Sequence, residues 1–449
     1  MVEYKPYEKY KDTGIEWIGQ VPEHWEAVPL KSIADKSKYS FVDGPFGSNL
    51  KNEEYQSYGV PLIQLNNISE GEHLLDTVNY VSEEKALQLF RHIAYPGEIV
   101  IAKMAHPVAR ATKVSKAYDK YIIVADCIKL TPDKELINSS YLVFSMNSLF
   151  FRVQAERIAS GTTRLRVNLG GVKNLRTLFP PLQEQQIIAN FLDHKTSEID
   201  NLIHDKEKLI TLLQEYRQSV ISEAVTKGLN PDVKMKDSGI EWIGEIPEHW
   251  ETLRLKYAAN LVNEKATADD LDKPYIGLEN IQSWTGLYSL SEDADSDEGT
   301  TSNLFAPGMV LFGKLRPYLA KCVKVNFSGR CSTEMLTLKP NKVRSDYLHY
   351  LLLTDSFISE VDSSTYGAKM PRANWSIISN LKIAIPPQPE QDEITDYLDR
   401  KTSEIDTLIS GIQGSIEQLK AYRQSLISEA VTGKIDVREF AAEGGAASG

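Results

Sequence analysis

The chain has 449 residues, 42% hydrophobic and 25% charged, with a net charge of −12; at about 100–200 residues per domain this predicts two to four globular domains. Three cysteines without a CxxC pair, and eight histidines without HxH or HExxH spacing, argue against a disulfide scaffold, a four-ligand zinc site and a catalytic metal. No run of about 18 apolar residues occurs and residues 1–12 lack a signal-peptide core, so the expected setting is a reducing cytoplasm without a membrane span.

The first element in chain order is a leader, KDTGIEWIGQVPEHWE at 11–26. A variable segment follows over 27–178. Its apolar runs PLIQLNNI, GEIVIAK, DKYIIVADCIKLTP and NLRTLFPP read as strands, and 83–91 and 138–158 as helices. Residues 182–226 then hold no proline. Apolar residues recur there near every 3.5 positions: Ile188, Leu192, Ile199, Leu202, Leu209, Leu213, Tyr216 and Val220. That spacing predicts a coiled-coil seam. Pro181 precedes the helix and Gly228 follows it, as helix boundaries favour.

The chain then repeats itself. Residues 236–251, KDSGIEWIGEIPEHWE, match the leader at 13 of 16 positions. Residues 385–435 match 179–229 at 27 of 51 positions, and carry a second seam from Ile394 to Leu426. The second variable segment, 252–384, differs in sequence but keeps a framework. IGLENI at 276–281 parallels IQLNNI at 63–68, PGMVLFGK at 307–314 parallels PGEIVIAK at 96–103, and GAKMPRAN at 367–374 parallels GTTRLRVN at 161–168. The predicted fold class is α/β (α+β). Two homologous mixed α/β domains are joined and spaced by two long antiparallel coiled-coil helices in a pseudo-twofold repeat. The predicted divisions are 1–178 (leader and first domain), 179–229 (first helix), 230–384 (second leader and domain), 385–436 (second helix) and 437–449 (a disordered, small-residue tail). Each helix of about 44 residues would span roughly 66 Å. The arrangement also predicts closure, with the N-terminal leader docking where a third leader would follow the second helix.

Charge is segregated. Residues 27–178 hold 19 Lys and Arg against 15 Asp and Glu, and 254–384 hold 15 of each, whereas the helical stretches 182–229 and 388–436 hold 5 against 8 and 5 against 10. The acidic load therefore sits on helices and leaders, and the variable domains can face a polyanion. Candidate DNA contacts in the first domain are Ser48, Asn49 and Lys51 in the loop GPFGSNLK, Asn66, Lys103, Arg110, Lys113, and Arg164, Arg166 and Asn168 in GTTRLRVN. In the second they are Asn280, Lys314, Arg316, Tyr318, Lys321, Lys369, Arg372 and Asn374. Lysine suits phosphate; arginine suits guanine and asparagine adenine. On the helices, Leu212, Ile221 and Val225 widen the apolar stripe, and the candidate partner-interface residues are Leu212, Tyr216, Ile221, Val225, Tyr422, Ile427 and Val431. They either dock helices of a partner or cover the domains of the same chain. The acidic run SEDADSDE at 291–298 reads as a solvated loop.

Catalysis finds no footing. The only Pro-Pro pairs follow Phe179 and Ile385, so the Asn/Asp-Pro-Pro-aromatic element of an amino-methyltransferase is missing, as are a Walker A loop and a nuclease carboxylate cluster. The sequence predicts no catalytic residue and no bound cofactor or metal. A bivalent coiled-coil adaptor that binds no DNA is the alternative reading.

The leader GIEWIG-x-[VI]-PEHWE, the PP-x-x-EQ helix entrance and the KTSEID…YRQS-[VL]-ISEAVT helix, each present twice in order over residues 11–436, resemble the DNA-specificity subunit of Type I restriction-modification systems. The resemblance implies that the variable domains are target recognition domains, each reading one half of an asymmetric bipartite double-stranded DNA target. It implies a helical ruler that sets the spacer and docks two modification (methyltransferase) subunits, which use S-adenosylmethionine and bring in restriction subunits. It implies no activity for the subunit alone. Half-sites on one DNA face should lie about 10 bp apart.

Overall fold

The computed structural model describes residues 4–440 except 16–17, 105, 162–163, 291–300 and 368. The SEDADSDE loop, Thr162 and Thr163 of GTTRLRVN, and the tail from 441 lie outside the described residues. The chain forms two compact units, one of residues 1–205 and 415–449 and the other of 206–414, so the division falls inside both long helices.

In the first unit, Phe41–Asp43, Cys127–Leu130, Ile99–Ala102 and Ala111–Lys113 form an antiparallel sheet in that order. All four residues of Ile99–Ala102 are buried, which is why an uninterrupted apolar run lies at its centre. A second sheet runs Tyr80–Val81, Val60–Ile63, Tyr121–Ile123, Ile93–Ala94, with one parallel pairing. The stretch DKYIIVADCIKLTP thus supplies a strand to each sheet, turning at 124–126. Glu26–Pro29 pairs with Arg176–Phe179 and brings the segment's ends together.

The second unit repeats this plan. Ala259–Val262, Met335–Pro340, Val310–Gly313 and Cys322–Lys324 form the antiparallel sheet. Tyr275–Ile276, Gly329–Ser332 and Ser302–Phe305 form the smaller one, and Glu251–Arg254 pairs with Lys382–Ile385. The predicted helix 138–158 is two helices, Ser139–Met146 and Leu149–Ile158. The break is imposed by buried Asn147, whose amide bonds both the N–H and the C=O of Ala111. The equivalent stretch of the second unit is likewise two helices, Ser345–Leu352 and Asp355–Ser363, with Thr354 capping the second.

The long helices are Leu182–Lys227 and Gln388–Val431. Within each unit, the start of one and the end of the other enter a single core. In the first unit Ile188, Leu192 and Ile199 share it with Leu426, Ile427 and Val431, Trp25 and Phe151. In the second, Ile394 and Leu398 share it with Val220, Ile221, Val225, Trp250 and Phe357. The pairing is antiparallel: Gly228 lies by Glu390 and Arg217 by Asp406. Along the seam Leu202, Leu209, Tyr216 and Leu408 are about half exposed, while Ile405 is buried.

The repeated helix sequence has a direct cause. Arg217 binds Asp406 and Arg423 binds Asp200. Each pair joins the Arg of YRQS in one copy to the Asp of KTSEID in the other, so both motifs are needed in both helices.

The first unit also shows the leader docked on the end of the second helix. Tyr10 donates to Gly433 O at 3.0 Å and Asp436 N to Lys5 O at 2.7 Å. Residues 437–440, predicted as part of a disordered tail, are instead packed. Val437 is buried in the first core and Phe440 meets Phe191 edge-on at 5.2 Å.

Candidate nucleic-acid interface

Some of the predicted basic positions, Lys103 and Arg166 in the first domain and Lys314, Arg316 and Arg372 in the second, lie together at the end of a central strand. In the first domain Lys103 follows Ile99–Ala102. Its N–H donates to Asp126 O at 2.9 Å and its C=O accepts from Val167 N at 2.9 Å. This draws GTTRLRVN alongside, and Arg166 Nη2 reaches Asp126 Oδ1 at 2.8 Å. Lys103 Nζ, largely buried, binds Asp43 Oδ2 at 3.0 Å. The loop GPFGSNLK starts at this point, with Gly44 N bonded to Cys127 O at 2.9 Å. A Cβ on Gly44 would sit 1.8 Å from Val124 O, so only glycine fits. Ser48, Asn49, Lys51 and Arg164 are exposed beyond it.

The second domain reproduces the geometry with different residues. Lys314 N donates to Glu334 O and Ala373 N to Lys314 O, both at 2.9 Å. Arg372 lies on Glu334, Nε and Nη2 each at 3.2 Å, and that carboxylate raises the pKa of Arg372 still further. Backbone bonds tie Arg166 to Ser160 and, equivalently, Arg372 to Tyr366. Arg316 N bonds Pro371 O at 2.7 Å, which joins the Arg316–Ala320 turn to the same site. Both ends of that turn are left-handed, Arg316 at φ 50° and Ala320 at φ 45°. Tyr318 and Lys369 are exposed. Among the described residues, no side-chain hydrogen bond or ion pair engages Arg164, Arg316 or Lys369, and their charges stay available to a ligand.

Several predicted contacts are instead structural. Asn168 and Asn374 cap short helices, accepting from Gly171 N at 2.8 Å and Ser376 N at 3.0 Å. Asn280 accepts from Gly277 N at 2.7 Å within its own turn. The Arg110 guanidinium is spent on backbone carbonyls, Ile68 at 2.7 Å and Leu65 at 2.8 Å. Lys321 Nζ binds Leu278 O at 2.5 Å and Lys113 Nζ binds Ser140 Oγ at 2.9 Å. Asn66 stays exposed, bonded to Thr77 Oγ1.

On the helices, Ile221, Val225, Ile427 and Val431 are at most 4% exposed. They belong to the cores of their own domains and cannot face a partner. Leu212 and Tyr216 are more than half exposed, and Tyr422 is partly covered.

Three residues escaped the sequence reading. Asp126 and Glu334 hold the two arginines; each is the acid just before an apolar strand, in ADCIKL and TEMLTL. Phe46, at the tip of GPFGSNLK, is 80% exposed, where burial is the rule for phenylalanine. Its place between two glycines was the available signal.

No described helix is long and apolar enough to cross a membrane, and the described residues contain no cluster of three His, Cys, Asp or Glu suited to a metal.

A family profile described as the Type I restriction modification DNA specificity domain matches residues 22–212 and 247–418. The chain is 24% identical over 443 residues to the MjaVIII specificity subunit of Methanocaldococcus jannaschii, covering 94% of this chain and 95% of that one. It is 21% identical over 446 residues to the EcoKI specificity subunit of Escherichia coli K12, covering 93% and 90%. A shorter match, 23% over 293 residues, spans 61% of this chain and 66% of the Escherichia coli EcoDI specificity subunit. A chain solved in a study of complex assembly and conformational transition of the type I R-M system has the same fold, with TM-score 0.68 and 15% identity over 92% of this chain and 99% of that one. The profile matches both copies of the repeat, and this chain belongs to the Type I restriction-modification DNA specificity family.

Proposed function

We propose that this chain is the subunit that gives a Type I restriction-modification complex its DNA sequence specificity. Each domain reads one half of a bipartite double-stranded target at the strand-end site just described. The observation that carries this reading is the shared geometry. Arg166 on Asp126 and Arg372 on Glu334 occupy equivalent positions in two domains whose surrounding loops differ. A common frame with unlike loops suits two different half-sequences. An arginine held by a carboxylate is pre-oriented, which lowers the entropy lost when it meets guanine O6 and N7. Exposed Phe46 supplies an aromatic face that can stack on or wedge beside a base.

The chain carries no reaction of its own. Two methyltransferase subunits dock on the helices through the exposed apolar residues Leu209, Leu212, Tyr216 and Leu408, bring S-adenosylmethionine, and carry the restriction subunits; the complex works on cytoplasmic DNA. The test is methylation of a random-sequence duplex library by the chain assembled with its methyltransferase subunits. A split motif of two unlike halves around a fixed spacer supports the reading. A palindrome, or methylation without sequence preference, refutes it.

A further inference from the structure

The second domain is tied to its helix pair by a buried arginine; in the first domain, among the described residues, only the glutamine beside the equivalent arginine makes such a link, Gln424 to Asn147 O at 3.4 Å. Arg217 is only 4% exposed. Its Nε binds Asp406 Oδ1 at 3.2 Å, Nη1 donates to Trp284 O at 2.9 Å and Nη2 to Thr285 O at 2.8 Å. The neighbouring Gln218 also donates to Trp284 O, at 3.3 Å. Burying a guanidinium is costly, and an apolar residue of similar size would often be at least as stable. A buried arginine that grips two successive carbonyls fixes geometry, because its planar fork sets direction as well as distance.

What it grips leads to the reading site. Trp284, left-handed at φ 67°, donates its own N–H to Ala320 O at 3.2 Å. Ala320 closes the turn that begins at Arg316, and Arg316 N is bonded to Pro371, next to Arg372. Three links thus run from the helix to the proposed base-reading turn: Arg217 to Trp284, Trp284 to Ala320, and the turn itself. Trp284 packs against the second core, and an open cavity of about 860 Å³ borders it together with Arg217, Gln218 and Ile409.

The first domain handles the same position differently. The parallel of 63–68 with 276–281 places Gly71 where Trp284 stands, also left-handed at φ 93°. Gly71 bonds Ala111 O, but Arg423, the counterpart of Arg217, lies on Asp200 through Nε and Nη2 at 2.9 and 3.1 Å. Among the described residues it reaches no carbonyl of the first domain.

We infer that Arg217, acting through Trp284, is a positioning residue that sets where the second domain presents its reading turn relative to its own helix pair, and so sharpens discrimination of spacer length and of the second half-site. This deepens the proposed function and rests on it. The test uses the complete chain assembled with its methyltransferase subunits and the target motif found for the wild type. Methylation rates are compared on duplexes with the native spacer and with one base pair added or removed, and with single changes in either half. For Arg217→Gln, and separately for Trp284→Gly, which copies the first domain, the native-to-altered spacer ratio should fall by about tenfold or more. Selectivity at the second half should loosen while that at the first is kept, and Arg423→Gln should leave every ratio unchanged. If either Arg217 variant or Trp284→Gly lowers all rates in proportion, with ratios intact, the residue serves stability alone and the inference is overturned; Trp284→Gly decides the matter should Arg217→Gln not fold. A wild-type complex without any sequence preference would instead remove the functional reading beneath it.

Discussion

Removing Glu184 should loosen the docked leader far more than removing Glu390, its equivalent in the second copy. Glu184, 6% exposed, accepts from Tyr7 Oη at 2.5 Å, His24 Nε2 at 2.8 Å and Trp25 Nε1 at 3.2 Å. Tyr7 and Trp25 are buried. Each bond from a buried donor to a carboxylate contributes about 1.5–3 kcal/mol, so Glu184→Ala should cost roughly 3–6 kcal/mol. The second copy has Asp232 at the place of Tyr7, Trp250 Nε1 has no partner among the described residues, and Glu390 holds only the half-exposed His249 at 2.8 Å. A pair so exposed contributes about 0–1 kcal/mol. The assay is amide hydrogen exchange of 10–12 with 184–192 in one variant and of 235–237 with 390–398 in the other. Protection should drop by two orders of magnitude or more for Glu184→Ala and by less than about tenfold for Glu390→Ala. Equal losses would refute the reasoning, because the two sites would then not differ in buried donors.

Other expectations follow from burial and exposure. Val225→Glu places a charge in the second core and should destabilise that unit by about 3–5 kcal/mol in denaturant unfolding, whereas Leu212→Glu should leave the fold intact and lower the number of bound methyltransferase subunits measured by light scattering. Burial pushes the His349 imidazole down to about 4, and its Nε2 has no hydrogen-bond partner among the described residues. Its unfolded value is near 6.5, so the unfolded chain binds the proton first as pH falls. Stability of the second unit should therefore be full above pH 6.5 and decline by roughly 1–3 kcal/mol towards pH 4; His349→Gln should flatten that part of the pH–stability curve. Phe46→Ala should weaken recognition of the first half-site by about 1–3 kcal/mol in competition binding, with the second half unaffected.

The architecture was legible because the repeat is strong and its periodicities are clean. Ile99–Ala102 and Val310–Gly313 are buried apolar runs, and the two long helices begin and end within a few residues of their Pro and Gly punctuation. The helix seam was only partly legible. A heptad pattern marks a stripe but not its cover, so Ile221 and Val225, which pack under the second domain, looked the same as Leu212 and Tyr216, which do not. The grouping at the strand ends was legible as a place, through GTTRLRVN and GAKMPRAN with their strand-end lysines. Individual roles within it were hidden: an asparagine opening a short helix and one facing a base have the same letter, and only Gly171 N and Ser376 N identify Asn168 and Asn374 as caps. Asp126 and Glu334 were invisible because their partners lie about 40 residues downstream and the acids themselves share no motif.

The most direct test of the account is a map of N6-methyladenine in cells that carry the chain with its methyltransferase, comparing wild type with Arg166→Ala and Arg372→Ala. The account predicts a bipartite motif in which Arg166→Ala relaxes one half and Arg372→Ala relaxes only the other, each by about 1–3 kcal/mol of discrimination. Loss of both halves together in either variant, or an unchanged motif in both, would contradict it.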